Sequence, residues 1–352
     1  MLSRFAVLLV SAIVPAVCAD WSPRLAAGYL DARQKEWFAW APAQAPGGPC
    51  VSCHTGVTYL LARPALRRAL GETRPTPYET GLLDALRSRS AIRDPKAVLP
   101  AFTREPLASQ AIGVEAVHSA LLLAADGWSG GTRQAFDRMW SLQLRDGPAA
   151  GAWQWFSLDL DPWEMPESRF YGAALAALAA GSAPADYRKL PEVRERIRAL
   201  AEYLHREQPS QPLHNRLVLL WASTRLPDAL PQAARKPIAD EAWRRQQPDG
   251  GWTLESLGPW KEHPAAPPSS AGSNGYATGL VAFVLLKAGV PRSDPELGRA
   301  LSWLRSHQDR ESGSWTAVSM NKRYEPESMQ VRFMRDAATA FASLALLEAE
   351  AP

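Results

Sequence analysis

The feature that most constrains this chain is an alternation of two kinds of helical segment. From Pro295 to Gln308, Leu297, Leu301 and Leu304 fall at i, i+4 and i+7 and make one apolar stripe on an otherwise polar helix. After a turn and a polar connection, the stretch from Asp336 to Ala349 is apolar nearly all round, through Ala338, Ala340, Phe341, Leu344, Ala345 and Leu347. A helix with one apolar face belongs at a surface and one apolar on every side belongs in a core, so the pair reads as an outer layer wrapped on an inner one. The pairing recurs six times. Outer candidates cover 24–40, 78–90, 131–146, 190–207, 234–247 and 294–308; inner candidates cover 54–70, 108–126, 168–181, 212–224, 272–289 and 335–349. Six helical hairpins in succession predict an all-α fold, an (α/α)6 toroid, with one domain over 20–352 and no natural boundary for a second.

The joint between an outer and an inner helix carries its own signature. It is sharpest in Trp303-Leu304, Gln308 and Gly313-Ser314-Trp315, close in the stretch from Trp243 through Gln247 to Trp252, and loose from Gln143 to Trp153. This pattern resembles the QW repeat of squalene–hopene cyclases and related terpenoid cyclases. The resemblance implies a toroid in which a glutamine and a tryptophan tie the end of an outer helix to the next helix, around an apolar polyprenyl or terpenoid substrate. The chain departs from that family in one respect: the Asp-x-Asp-Asp acid motif is missing, and Asp159-Leu160-Asp161-Pro162 is the nearest approach.

Residues 1–19 read as a secretory signal: Arg4 before an apolar run from Phe5 to Val17, then Val17-Cys18-Ala19 as a small-residue cleavage site. That run is about 13 residues, too few to span a bilayer. The expected location is therefore extracytoplasmic or periplasmic, with no transmembrane span in the mature chain. A net charge of +3, with bases and acids mixed, leaves no footprint for nucleic acid.

Beyond the signal the chain holds two cysteines, both in Cys50-Val51-Ser52-Cys53-His54. This is the C-x-x-C-H spacing of c-type haem attachment, in which two thiols reach the porphyrin vinyl groups and the histidine becomes an axial ligand to iron. A covalent haem c is expected on Cys50, Cys53 and His54, with His118 or Met329 as a sixth ligand. A Cys50–Cys53 disulfide and a zinc site are the other readings of the same residues.

An acidic cluster, Asp159, Asp161, Glu164 and Glu167, lies among Trp153, Trp155 and Trp163. Asp159, Asp161, Glu164 and, before the last inner helix, Asp336 are the candidate catalytic carboxylates; acids at these places also stabilise helix N-termini. Toroids of this kind also serve carbohydrate enzymes, and acids beside tryptophans suit a sugar. The expected function is an exported haem protein with a redox role, passing electrons to a partner protein or oxidising an apolar small molecule in the central cavity. A haem-free terpenoid-cyclase-like protein and a non-catalytic binding toroid are the alternatives.

Overall fold

The computed structural model describes residues 21–351, apart from 93, 95, 96, 98, 100, 101, 267–271 and 327; the signal-like segment lies outside the described residues. Six outer helices are α1 (Pro23–Ala39), α3 (Pro77–Ser90), α5 (Gly130–Ser141), α8 (Pro191–Glu207), α10 (Gln232–Arg244) and α12 (Pro295–Ser306). Six inner helices alternate with them: α2 (Gly56–Ala69), α4 (Leu107–Asp126), α6 (Ser168–Ser182), α9 (Leu213–Ser223), α11 (Gly275–Lys287) and α13 (Met329–Glu350). A single-turn helix, α7 (Ala185–Arg188), precedes α8, and a two-stranded ribbon pairs β1 (Gln44–Ala45) with β2 (Gly48–Pro49).

The inner helices form a closed ring. α2 packs on α4, α4 on α6, α6 on α9, α9 on α11, α11 on α13, and α13 returns to α2. The expected (α/α)6 toroid is borne out. The sequence explains it: every residue of α11 from Gly275 to Leu286 is buried, whereas α12 buries Leu297, Ala300, Leu301, Trp303 and Leu304 on one face. α4 is long and apolar enough to cross a membrane, but 83% of its apolar window is buried inside the protein, so core packing accounts for its composition.

The glutamine–tryptophan joints do the same work three times. Trp153, Trp252 and Trp315 are each at most 1% exposed, and each indole N–H donates to a carbonyl near the end of the preceding outer helix. The acceptors are Met139 (2.6 Å), Ala242 (2.7 Å) and Leu304 (2.8 Å). A buried indole needs such a partner, and a helix C-terminus has spare carbonyls to offer.

Each glutamine then bridges its own turn to the next outer helix. Gln143 Nε2 donates to Gly151 O and Arg196 O, and Gln246 Nε2 to Gly250 O and Glu296 O. Gln308 Nε2 donates to Gly313 O and to Ser22 O, both at 3.0 Å, while its Oε1 accepts the Ser22 N–H at 2.6 Å. Ser22 is the N-cap of α1, so this last joint fastens the last outer helix to the first and closes the outer ring. The loose match at Gln143 is thus as faithful in space as the sharp ones. The bridging residue of the second joint is Gln246 rather than Gln247, whose amide turns back to Arg245 O.

Three inner helices start two or more residues from where the apolar pattern predicts, among them α11, which begins at Gly275 instead of 272 because Asn274 caps it by accepting the Ala277 N–H. α13 begins at Met329 instead of 335, because Ser328 caps it by accepting the Val331 N–H. α2 begins at Gly56, which leaves His54 in the preceding turn.

Candidate functional site

The N-terminal ends of the inner helices surround one mouth of the toroid, where a cavity of about 210 Å3 lies. Its walls include His54, Asp161, Trp163, Glu164, Tyr276, Tyr324 and Phe333. Asp161 is 9% and Glu164 8% exposed, so two carboxylates on its wall are largely shielded from solvent.

Three connections position them. Leu160 and Glu164 form an antiparallel bridge that folds 160–164 into a tight loop. Asn321 clasps that loop from the opposite side, accepting the Asp161 N–H and donating to the Asp161 carbonyl, both at 2.9 Å. His263 Nε2 lies 3.2 Å from Asp161 Oδ2. Burial raises the Asp161 carboxyl above its ordinary range, against the opposing pull of His263. Its protonated form is therefore favoured more than that of a surface aspartate.

The aromatic wall is held by hydrogen bonds as well as packing. Trp155 donates its indole N–H to Trp163 O (3.0 Å), and Trp163 donates to the Tyr276 hydroxyl (3.1 Å). The same hydroxyl lies 2.8 Å from His214 Nε2, and His214 Nδ1 lies 2.9 Å from Asn215 Oδ1. The Asn215 carbonyl oxygen accepts a proton on Nδ1, so Nε2 is the acceptor and Tyr276 the donor. Burial lowers His214 to about 4, so the ring stays neutral at pH 7.

The predicted site residues divide. Asp161 and Glu164 share the cavity, and His54 joins them unexpectedly: its Nε2 lies 3.6 Å from Glu164 Oε1, between Phe333 stacked at 5.3 Å and Trp163 at 5.0 Å. Burial lowers the His54 pKa, while Glu164 pulls the other way. Asp159 does not belong to the cavity. It is exposed, with both oxygens 2.6 Å from Lys261 Nζ, which lowers its pKa. Asp336 is 0% exposed and accepts from Tyr29 and Arg33 Nε, each at 3.0 Å, a buried structural pairing. Tyr276, Phe333, His263 and Asn321 escape a sequence reading. Tyr276 alone had a signal, as a polar-tipped aromatic at an inner-helix start.

The haem expectation meets a different geometry. Cys50 and Cys53 are free thiols, and burial pushes Cys50 up to about 11 and Cys53 well above its usual value, so both are neutral at pH 7. The Nε2 of His54, which would face iron, faces Glu164 instead. His118 is buried edge-on against Trp155 and lowered to about 3 by burial, and Met329 Sδ accepts from Arg33 at 3.3 Å. Among the described residues, no group of three or more His, Cys, Asp or Glu converges as a metal site would require. Covalent haem c on these residues stays a proposal that this geometry does not test.

No family model matches the chain, and no curated protein matches it. Solved structures do. A UGL variant with the oligosaccharide dGlcA-Glc-Rha-Glc is 14% identical with a TM-score of 0.53, covering 92% of this chain and 95% of that one. The GH76A alpha-1,6-mannanase from Salegentibacter is 10% identical with a TM-score of 0.49, covering 94% and 99%. The likeness to the UGL variant supports the toroid fold, and it replaces the resemblance to terpenoid cyclases. The expected redox role, read from the C-x-x-C-H motif, and the terpenoid role, read from that resemblance, are both corrected by a neighbour that holds an oligosaccharide. What the glutamine–tryptophan joints report is the closure of a toroid rather than cyclase ancestry.

Proposed function

We propose that the chain binds and hydrolyses a saccharide at the mouth whose cavity Asp161 and Glu164 both line. The observation that carries this reading is that two carboxylates, each nine-tenths buried, line one cavity together with an aromatic wall. Flat rings beside converging polar groups suit a sugar, whose carbon–hydrogen faces are apolar and whose edges are hydroxyls. At about 210 Å3 the space matches a small sugar unit rather than a long chain held along its length. The fold shared with a UGL variant holding an oligosaccharide is consistent with this use.

The roles follow from environment. Asp161, raised by burial, donates a proton to the departing glycosidic oxygen. Glu164, with neutral His54 beside it, draws a proton from water as the water oxygen bonds to the anomeric carbon and the glycosidic bond breaks. Export, read from residues 1–19, is proposed to place the protein where extracellular glycans are met.

The test is a panel of defined oligosaccharides incubated with the purified protein, with products followed by mass spectrometry. At least one substrate should be cleaved, with turnover falling by about 10²-fold or more in Asp161→Asn and in Glu164→Gln, each still folded. No cleavage across the panel, or cleavage unaffected in both variants, overturns the reading.

A further inference from the structure

The opposite mouth of the toroid holds a larger cavity, about 920 Å3, unconnected with the chemistry proposed above. Its floor is a ring of large apolar side chains, one from each inner helix: Leu60, Leu121, Leu178, Trp221, Phe283 and Leu344. Trp221 and Phe283 meet edge to face at 5.1 Å and stiffen one side of it. Such a floor holds water poorly, because six apolar groups offer it no hydrogen bonds.

The rim carries four bases (Arg67, Arg68, Arg225 and Lys287) and four acids (Glu79, Asp126, Glu348 and Glu350), and every one of the acids is already paired, two of them with arginines outside the cavity. Glu79 pairs with Arg67 (3.3 Å), Asp126 with Arg87 (2.5 Å), Glu348 with Lys287 (2.5 Å) and Glu350 with Arg305 (3.4 Å). Arg68 and Arg225 also line the cavity, are exposed, and make no ion pair among the described residues. Helix C-termini point to this mouth, and Arg68, in the last turn of α2, answers one of them. A guanidinium carries five donors, so donors remain after that interaction.

We propose that this cavity binds a free, single-chain fatty acid, its aliphatic tail against the six-residue floor and its carboxylate between Arg68 and Arg225. An apolar depth under two unpaired guanidinium groups complements an anionic amphiphile and disfavours a neutral or cationic one. The cavity volume lies within the range of small-molecule sites. Neither the carboxylates nor the rings of the saccharide cavity take part, so this site stands or falls independently of that reading.

Dodecanoate and 1-dodecanol are titrated into the full chain by calorimetry, beside Arg68→Glu/Arg225→Glu and Ala125→Trp. Both arginines and Ala125 are exposed, so these variants should fold. The parent should bind dodecanoate at least tenfold more tightly than dodecanol, with the preference shrinking as salt rises. The double variant should lose that preference, and Ala125→Trp, which narrows the entrance, should weaken both ligands tenfold or more. Failure of the parent to bind dodecanoate overturns the proposal, as does binding unchanged in both variants. Attachment to phosphatidylglycerol vesicles that dodecanoate does not compete away would assign the arginines to a membrane surface and overturn it too.

Discussion

Replacing Gln308 with alanine should loosen the toroid at its seam. The side chain makes three hydrogen bonds there: Nε2 to Gly313 O and Ser22 O at 3.0 Å, and the Ser22 N–H to Oε1 at 2.6 Å. A net contribution of about 0.5–1.5 kcal/mol per bond sets the scale, and the half-exposed position lets water replace part of it, giving about 2 kcal/mol. With an unfolding entropy of about 2.1 cal/mol/K per residue over about 330 residues, that loss lowers Tm by about 3 °C. Gln246→Ala should cost about 1–2 kcal/mol, for it bridges Gly250 O and Glu296 O. Gln247→Ala should cost about 0.5 kcal/mol, since its amide reaches only Arg245 O nearby. Calorimetry and urea melts on the three variants give the order. A Gln308→Ala protein that melts within 1 °C of the parent, or a Gln247→Ala protein as weakened as Gln246→Ala, would refute the reasoning.

Acid should weaken the fold through its buried histidines. His118 and His214 are lowered to about 3 and about 4 by burial, so the unfolded chain takes up protons below about pH 6.5 that the native state refuses. Their stabilising contribution is complete above that pH and is lost as pH falls towards 4 and 3, about 2 kcal/mol each by pH 5. Stability measured between pH 7 and pH 5 should fall accordingly, and His118→Leu should flatten the slope; equal slopes in parent and variant would exclude this histidine as its source. The thiols of Cys50 and Cys53, half-buried and held neutral, should alkylate slowly in the native protein and fully in denaturant. A pyridine haemochrome band, lost in Cys53→Ala, would instead establish covalent haem and require His54 to leave Glu164.

Much of the architecture is legible in the sequence because it is written at short range. The all-round apolar bodies of α4, α6 and α11 and the one-sided stripes of α8 and α12 separate inner from outer helices by periodicity alone. The start of α13 is not, since Arg332, Arg335 and Asp336 interrupt its apolar pattern; Asp336 is tolerated only because Arg33 and Tyr29 reach it from α1. The same distinction governs the site. Asp161 and Glu164 stand out as an acidic cluster among tryptophans. His54 is misread because a five-residue motif says nothing of Glu164 and Phe333, which arrive from distant turns of the ring. Asp159 and Asp161 look equivalent in sequence. They differ in the structure because Lys261 meets one at the surface while Asn321 draws the other inward.

The central claim, a saccharide held between the Asp161–Glu164 pair and the aromatic wall, is tested most directly by equilibrium binding to Glu164→Gln. That variant keeps the cavity's shape while removing one carboxylate charge. Oligosaccharides are titrated by calorimetry into it and into the same protein also carrying Trp163→Ala. Glu164→Gln should bind saturably, and adding Trp163→Ala should lower that affinity at least tenfold. Binding that ignores Trp163, or no binding by any saccharide offered, would contradict the claim.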